Sequence, residues 1–491
     1  MIPANLPIDF HAIAPQLVMA GTLFLVLIVD LFLPNDRKHA SMPVAFLGAT
    51  GALIASLTLI GADRATFGGS FVVDDFTVLF DVFFSLAAMT ILALSYRYVR
   101  DGRTFQGEYY FLLLCSFLGA MTMGGSRDLL MLFISLELVS APAFLLSGLR
   151  KSDPRSNEAA LKFFLISVLS TAVMLYGMSL IYGVTGTTRL AGISRALAGP
   201  EAHSNLALAA VLFVVAGFAF KVSAFPFQFW APDTYEGAPV PVAAYLSVAS
   251  KAAGFVGLLQ LMFAGFLPVA HFWAPIFALL SLFTMFMGNL VALQQRQVVR
   301  MLAYSSIAQA GYMLLPFALA GSSASVNRAA FSSVVLYILI YAAMNLGTFA
   351  IVIGMSRESP SVLITDFSGL GRRFPAIAVA MATFLVSLAG IPPTAGFWGK
   401  FFIFTAAIDR GGIGTWLAGA MVLNSVISLV YYLAIVRAMW LDPITEPVRP
   451  IRLPALVTVV AMVAMVWVLL IGVFPDLAAH FPPFTVLAAG P

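Results

Sequence analysis

Leu206-Ala-Leu-Ala-Ala-Val-Leu-Phe-Val-Val-Ala-Gly-Phe-Ala-Phe-Lys221-Val-Ser-Ala-Phe-Pro226-Phe-Gln-Phe-Trp230 is apolar apart from Lys221, Ser223 and Gln228. A helix needs about 20 apolar residues to cross roughly 30 Å of hydrocarbon, so this run is long enough to span a bilayer. Pro226 withholds a backbone donor and clashes with the preceding turn, freeing carbonyls that hydrocarbon cannot satisfy. A span broken at Phe225-Pro226, with a lysine just before the break, marks a polar cavity inside a membrane protein.

The rest of the chain agrees. Of 491 residues, 61% are apolar and 10% charged, with a mean hydropathy of +0.98. These values exclude a soluble enzyme. Apolar runs between charged or Gly/Pro-rich breaks predict an all-α polytopic protein of about fourteen spans. They lie near 12–33, 42–61, 76–96, 108–125, 128–149, 157–184, 206–230, 240–264, 273–293, 298–320, 329–355, 375–408, 414–437 and 453–474. The N-terminus lacks the basic start of a cleavable signal. The single Cys115 supports neither a disulfide nor a sulfur cluster, and the five histidines fall at or outside span ends, which excludes paired haem ligands. A net charge of +4 in so apolar a chain points to no nucleic acid.

Of 26 Lys and Arg residues, sixteen fall in one alternate set of loops, including Arg103, Arg449 and Arg452, and six in the other. Basic loops stay cytoplasmic, so an even number of spans puts both termini on the non-cytoplasmic side.

Laid on itself with a shift of about 170 residues, the chain matches Arg127-Asp-Leu-Leu-Met-Leu-Phe to Arg296-Gln-Val-Val-Arg-Met-Leu, and Asn157-Glu-Ala-Ala to Asn327-Arg-Ala-Ala. The partners are five spans apart. An odd separation implies inverted copies, the arrangement of secondary transporters. Each copy holds one interrupted span, at Phe225-Pro226 and at Gly390-Ile-Pro392-Pro393-Thr-Ala-Gly396. The expected organisation is a three-helix segment 1–107, a repeat 108–264, its inverted partner 273–437, and a C-terminal helix and tail 438–491.

The remaining four basic residues, Lys162, Lys221, Lys251 and Lys400, lie within spans, and all are lysines although the chain has only six. Arginine in practice keeps its proton, whereas a desolvated lysine loads and unloads one. A charge at a span centre costs on the order of 2.5–3.5 kcal/mol, so these residues point to proton transfer. Lys221 and Lys251 lie deep in their spans, and Lys400 follows the double-proline break. Lys162 stands four residues after Glu158, the spacing of an ordinary helical ion pair. Glu137, near the middle of the fifth span, needs a cation, and Lys221 is its natural partner. Asp30 and Asp81 lie close to span ends and read as interfacial acids. Gly369-Leu-Gly371 lacks the strand and phosphate loop of a nucleotide site, so no NADH site is expected.

Three stretches, Phe220-Lys221 to Pro239, Arg300-Met-Leu-Ala-Tyr-Ser-Ser306-Ile-Ala-Gln309-Ala-Gly and Gly390 to Lys400, resemble the antiporter-like proton-pumping subunits of respiratory complex I and the related cation/proton antiporters. The resemblance covers essentially the whole chain. Lysine at 251 rather than histidine, and at 400 rather than an acid, looks most like the N-type subunits of bacterial NADH:quinone oxidoreductase. It implies proton-pathway roles for Glu137, Lys162, Lys221, Lys251 and Lys400. Many relatives have histidine at the position of Gln228, so no titrating group is carried over there. The resemblance also implies redox chemistry on partner subunits holding FMN and iron-sulfur clusters, no cofactor in this chain, and neighbouring antiporter-like subunits in a bacterial inner membrane. The other reading it leaves is a subunit of a multisubunit cation/proton antiporter without redox chemistry.

Overall fold

In hydrocarbon a chain satisfies its backbone only by closing hydrogen bonds within the protein, and the apolar runs do so as helices. The computed structural model describes residues 8–34, 37–101, 106–200, 204–357, 359, 361–443 and 454–479. Arg103, Arg449, Arg452, His203, His480 and the tail beyond 479 lie outside the described residues.

In chain order the elements begin α1 (Ala14–Phe32), α2 (Ser41–Leu57), β1 (Arg64–Thr66), β2 (Phe71–Val73), α3 (Asp75–Asp101), α4 (Gln106–Gly125), α5 (Leu129–Ser147) and α6 (Pro154–Thr185). There follow α7 (Leu190–Leu197), α8 (Asn205–Lys221), α9 (Trp230–Gly237), α10 (Val240–Tyr245), α11 (Lys251–Gln260), α12 (Ala270–Ala292), α13 (Val298–Leu314) and α14 (Ala324–Met355). The chain ends in α15 (Leu370–Arg373), α16 (Pro375–Ala389), α17 (Ala395–Arg410), α18 (Ile413–Trp440), α19 (Ala455–Val473) and α20 (Asp476–Ala479). Among the described residues eleven helical stretches are long and apolar enough to cross a membrane, and α8 and α16 are shorter apolar helices. The fold is that of an all-α membrane protein, with one small addition: β1 pairs antiparallel with β2, Thr66 opposite Phe71.

Two compact units form. Within the described residues, the first comprises the chain up to Lys221 together with Ala249–Ala270, and the second comprises Val222–Val248 and the chain from His271 onward. In the first unit α4 packs on α5 and α6 on α8; in the second α14 packs on α16, α17 and α19. Small residues permit the close approaches. A Cβ added at Gly217 of α8 would stand 2.4 Å from Cβ of Met174 on α6, so only glycine fits there.

Local chemistry sets the helix starts. The Asp128 side chain caps α5 by accepting from the Leu130 N–H, and Ser323 caps α14 by accepting from Val326. The start of α5 is also pinned by two backbone bonds, Leu129 N–H to Thr188 at 2.9 Å and Leu190 N–H to Arg127 at 3.0 Å. The start of α13 carries the corresponding bonds, Val298 N–H to Val362 at 2.9 Å and Ile364 N–H to Arg296 at 3.0 Å. The intervening helices α6 and α14 are each 32 residues long.

Both proline-rich stretches interrupt helices. Between α8 and α9 the Phe225 N–H is taken by Thr284 Oγ1 at 2.9 Å. Between α16 and α17, Gly390 adopts φ +89°, and the Gly396 N–H is taken by Ser387 Oγ at 3.0 Å. Side-chain hydroxyls thus satisfy donors that the breaks release.

The crowding at Gly217 gives a direct check. Gly217→Val is expected to cost about 1–3 kcal/mol by overpacking the α6/α8 contact, whereas Gly183→Ala on α6, where added carbon meets open space, should be neutral. Thermal unfolding of the purified protein in detergent compares them, and equal stability would overturn the packing argument.

Candidate functional site

Burial separates the four lysines of the spans. Lys221, Lys251 and Lys400 are 4%, 3% and 6% exposed. The Lys162 side chain is 44% exposed and pairs with Glu158 at 2.7 Å, the i, i+4 ion pair its spacing predicts.

Each buried lysine sits where a helix changes character. Lys221 is the last residue of α8. Lys251 opens α11 directly after a π turn, Leu246–Ser250, and a second π turn, Leu261–Gly265, follows that helix; such turns recur at functional sites. Lys400 lies on α17, just beyond the second break. All three are thereby placed beside backbone that has left the regular ladder.

Their partners differ from the sequence expectation in one respect. Lys221 Nζ donates to Ser140 Oγ at 2.8 Å, while Glu137 accepts from Thr171 Oγ1 at 2.9 Å. Glu137 and Ser140 stand one turn apart on α5, so both charges address the same face of that helix, each hydrogen-bonded to a hydroxyl rather than to the other. Glu137 is partly exposed. Lys400 Nζ donates to the Ala389 carbonyl at 2.9 Å and to Ser425 Oγ at 3.0 Å, and lies 4.4 Å from the centre of the Tyr312 ring.

Asp81, read as interfacial, is instead 1% exposed. Both its oxygens accept from Gln16 Nε2, at 3.1 and 3.0 Å, because α3 is covered along its length by its neighbours. Asp30 pairs with Lys38 at 3.0 Å.

Two arginines hold the surrounding helices in place. In the first unit Arg127 bonds Asp74 at 2.6 Å and Gln260 Oε1 at 2.8 Å, and Gln260 Nε2 donates to the carbonyls of Met123 and Gly124. This fixes the far end of the helix that Lys251 opens. In the second unit Arg300 Nη1 is shared between Asp233 at 2.9 Å and Glu236 at 2.8 Å, which ties α9 to α13.

A buried polar network links α12, α13, α14 and α18. Asn289 Nδ2 donates to Tyr312 Oη and Asn424 Oδ1, Tyr431 donates to Asn289, Ser305 bonds Tyr432, and Tyr337 bonds Gln309. The sequence signalled Ser305 and Gln309 through their motif, but not Tyr312, Ser425 or Ser140, which are ordinary span residues until a partner helix is known. Among the described residues no three His, Cys, Asp or Glu side chains gather as a metal site.

Residues 126–428 match the family described as NADH:quinone oxidoreductase/Mrp antiporter, TM. The chain is 38% identical over 476 residues to NADH-quinone oxidoreductase subunit N of Trichlorobacter lovleyi, covering 96% of each. A chain of respiratory complex I from Thermus thermophilus with bound aureothin superimposes with a TM-score of 0.79 at 30% identity, covering 94% of this chain and 98% of that one. A chain of the Mrp complex from Dietzia sp. shares the fold, with a TM-score of 0.83 at 21% identity over 98% of this chain and 99% of that one.

The Arg300 clasp predicts non-additivity. Asp233→Asn or Glu236→Gln alone leaves the guanidinium one carboxylate, whereas the double variant leaves neither. The double loss is expected to exceed the sum of the single losses by about 0.5–3 kcal/mol in thermal unfolding of the purified protein. Strict additivity would show that the two acids do not act on α9 together.

Proposed function

The chain belongs to the NADH:quinone oxidoreductase/Mrp antiporter transmembrane family, and from that premise we propose that it is a proton-translocating membrane subunit of NADH:quinone oxidoreductase, of the N type. The observation that carries this reading is the set of three buried lysines placed where apolar helices end, break or turn irregular. A buried amine costs too much to serve only as packing, and unlike arginine it can exchange its proton. Electron transfer from NADH to quinone takes place on partner subunits that carry FMN and iron-sulfur clusters; this chain supplies the proton steps. The antiporter alternative rests on shared fold at 21% identity, whereas the relative at 38% identity along nearly the full length is a quinone oxidoreductase subunit.

In this reading the protein has fourteen spans, both termini on the periplasmic side of a bacterial inner membrane, and inverted repeats over 108–264 and 273–437. The matched backbone bonds at the starts of α5 and α13, followed by helices of equal length, support the repeat. Lys251 and Lys400 act as proton carriers, one in each compact unit. Glu137 and Lys221 form a switch facing the neighbouring subunit: pairing holds the lysine charged, and drawing Glu137 away releases its proton towards Lys251. The hydroxyls of Thr171 and Ser140 give each group a resting partner when the pair is apart. Lys162, exposed on α6 and paired with Glu158, takes part in the same proton pathway.

Two variants test the assignment in proteoliposomes containing the whole complex. Lys251→Ala is expected to cut quinone-coupled pumping at least tenfold, corresponding to about 1.4 kcal/mol or more, with assembly intact, and Lys251→Arg should not rescue it because a permanent charge cannot unload. Near-normal pumping in assembled Lys251→Ala would remove that residue from the pathway.

The paired variant Glu137→Gln with Lys221→Met separates a switch from a static ion pair. A static pair predicts recovery once both charges are gone, whereas a switch predicts an assembled complex that still pumps poorly. Full recovery of pumping would sink the switch.

A further inference from the structure

Among the described residues, Lys400 is held by a cage that contains no carboxylate. Its Nζ has three neighbours: the carbonyl of Ala389 at the end of α16, the Ser425 hydroxyl on α18, and the face of the Tyr312 ring on α13. The helices around it carry charge only near their ends: Arg300 on α13, Arg328 on α14, Arg437 on α18, and Asp409 with Arg410 on α17 itself. The other titratable groups on those helices are the phenols Tyr304, Tyr337, Tyr341, Tyr431 and Tyr432, and α16 and α19 contribute none. The ring is fixed from behind, since Asn289 donates to Tyr312 Oη at 3.2 Å and is itself bonded to Asn424 and Tyr431. Glycine at 390 keeps the cage open, because a Cβ there would meet Lys400 Cδ at 2.9 Å.

An aromatic face attracts an ammonium through its quadrupole and gains far less from a neutral amine, and the attraction is strongest where water is excluded. The carbonyl at the end of α16 adds the negative pole of a helix terminus. Both therefore act on the charged form of the lysine.

We infer that Tyr312 is a positioning residue of proton transfer: its ring face serves as the counter-charge that keeps Lys400 loaded until the proton is called onward. This rests on the assignment of Lys400 as a proton carrier.

The test replaces Tyr312 in the whole complex with phenylalanine and then with phenylalanine analogues bearing successively more fluorine, which drains the ring face at nearly constant shape. Quinone-coupled pumping in proteoliposomes is measured across pH. With each step of fluorination the alkaline limb of the profile should move to lower pH, by about one unit, or tenfold, across the series. Tyr312→Leu, if it assembles, should match the most fluorinated variant. A profile unchanged along the fluorinated series, in a complex where Lys400→Leu abolishes pumping, overturns the role of Tyr312 alone. Normal pumping in assembled Lys400→Leu overturns the carrier assignment on which it stands.

Discussion

The need to satisfy every backbone polar group without water governs this molecule. Long helices meet it by themselves, and the interest lies where they stop. At the first break a threonine of α12 takes the Phe225 N–H. At the second a serine takes the Gly396 N–H, and the ammonium of Lys400 takes the Ala389 carbonyl. The breaks are thus stabilised by polar side chains drawn into an otherwise apolar interior.

The apolar helical stretches, both breaks and the burial of Lys221, Lys251 and Lys400 were legible in the sequence because each leaves a local mark: an apolar run, a proline pair, a charge where charge is costly. Lys162 was legible even in its bland role, since Glu158 stands four residues away on the same helix face. Partners across helices were not. Ser140, Ser425 and Tyr312 acquire meaning only when α5, α13 and α18 are brought beside the lysines, and serine or threonine in a membrane helix more often bonds its own backbone. Asp81 misled for the same reason: distance from a helix end is local, whereas cover by a neighbouring helix is not. Nor does the sequence mark that Val222–Val248 joins the second compact unit while the residues on either side join the first.

Two arginines carry much of the rigidity around these sites. Arg127 and Arg300 each lie at the start of a helix and each gathers partners from distant parts of its own unit, where a planar fork of donors suits several acceptors at once. Their division of labour with lysine is chemical: the base that keeps its proton braces the helices, and the base that can lose it lies inside them.

The carboxylate-free surroundings of Lys400 have an electrical meaning. A lysine paired with an acid can trade its proton within the pair and leave the local charge unchanged. An amine held only by a carbonyl, a hydroxyl and a ring changes the charge of its surroundings by a full unit whenever a proton arrives or departs. Moving one elementary charge across a membrane is worth about 2.3 kcal/mol per 100 mV, so in the carrier role proposed for Lys400 its occupancy would respond to some fraction of the membrane voltage.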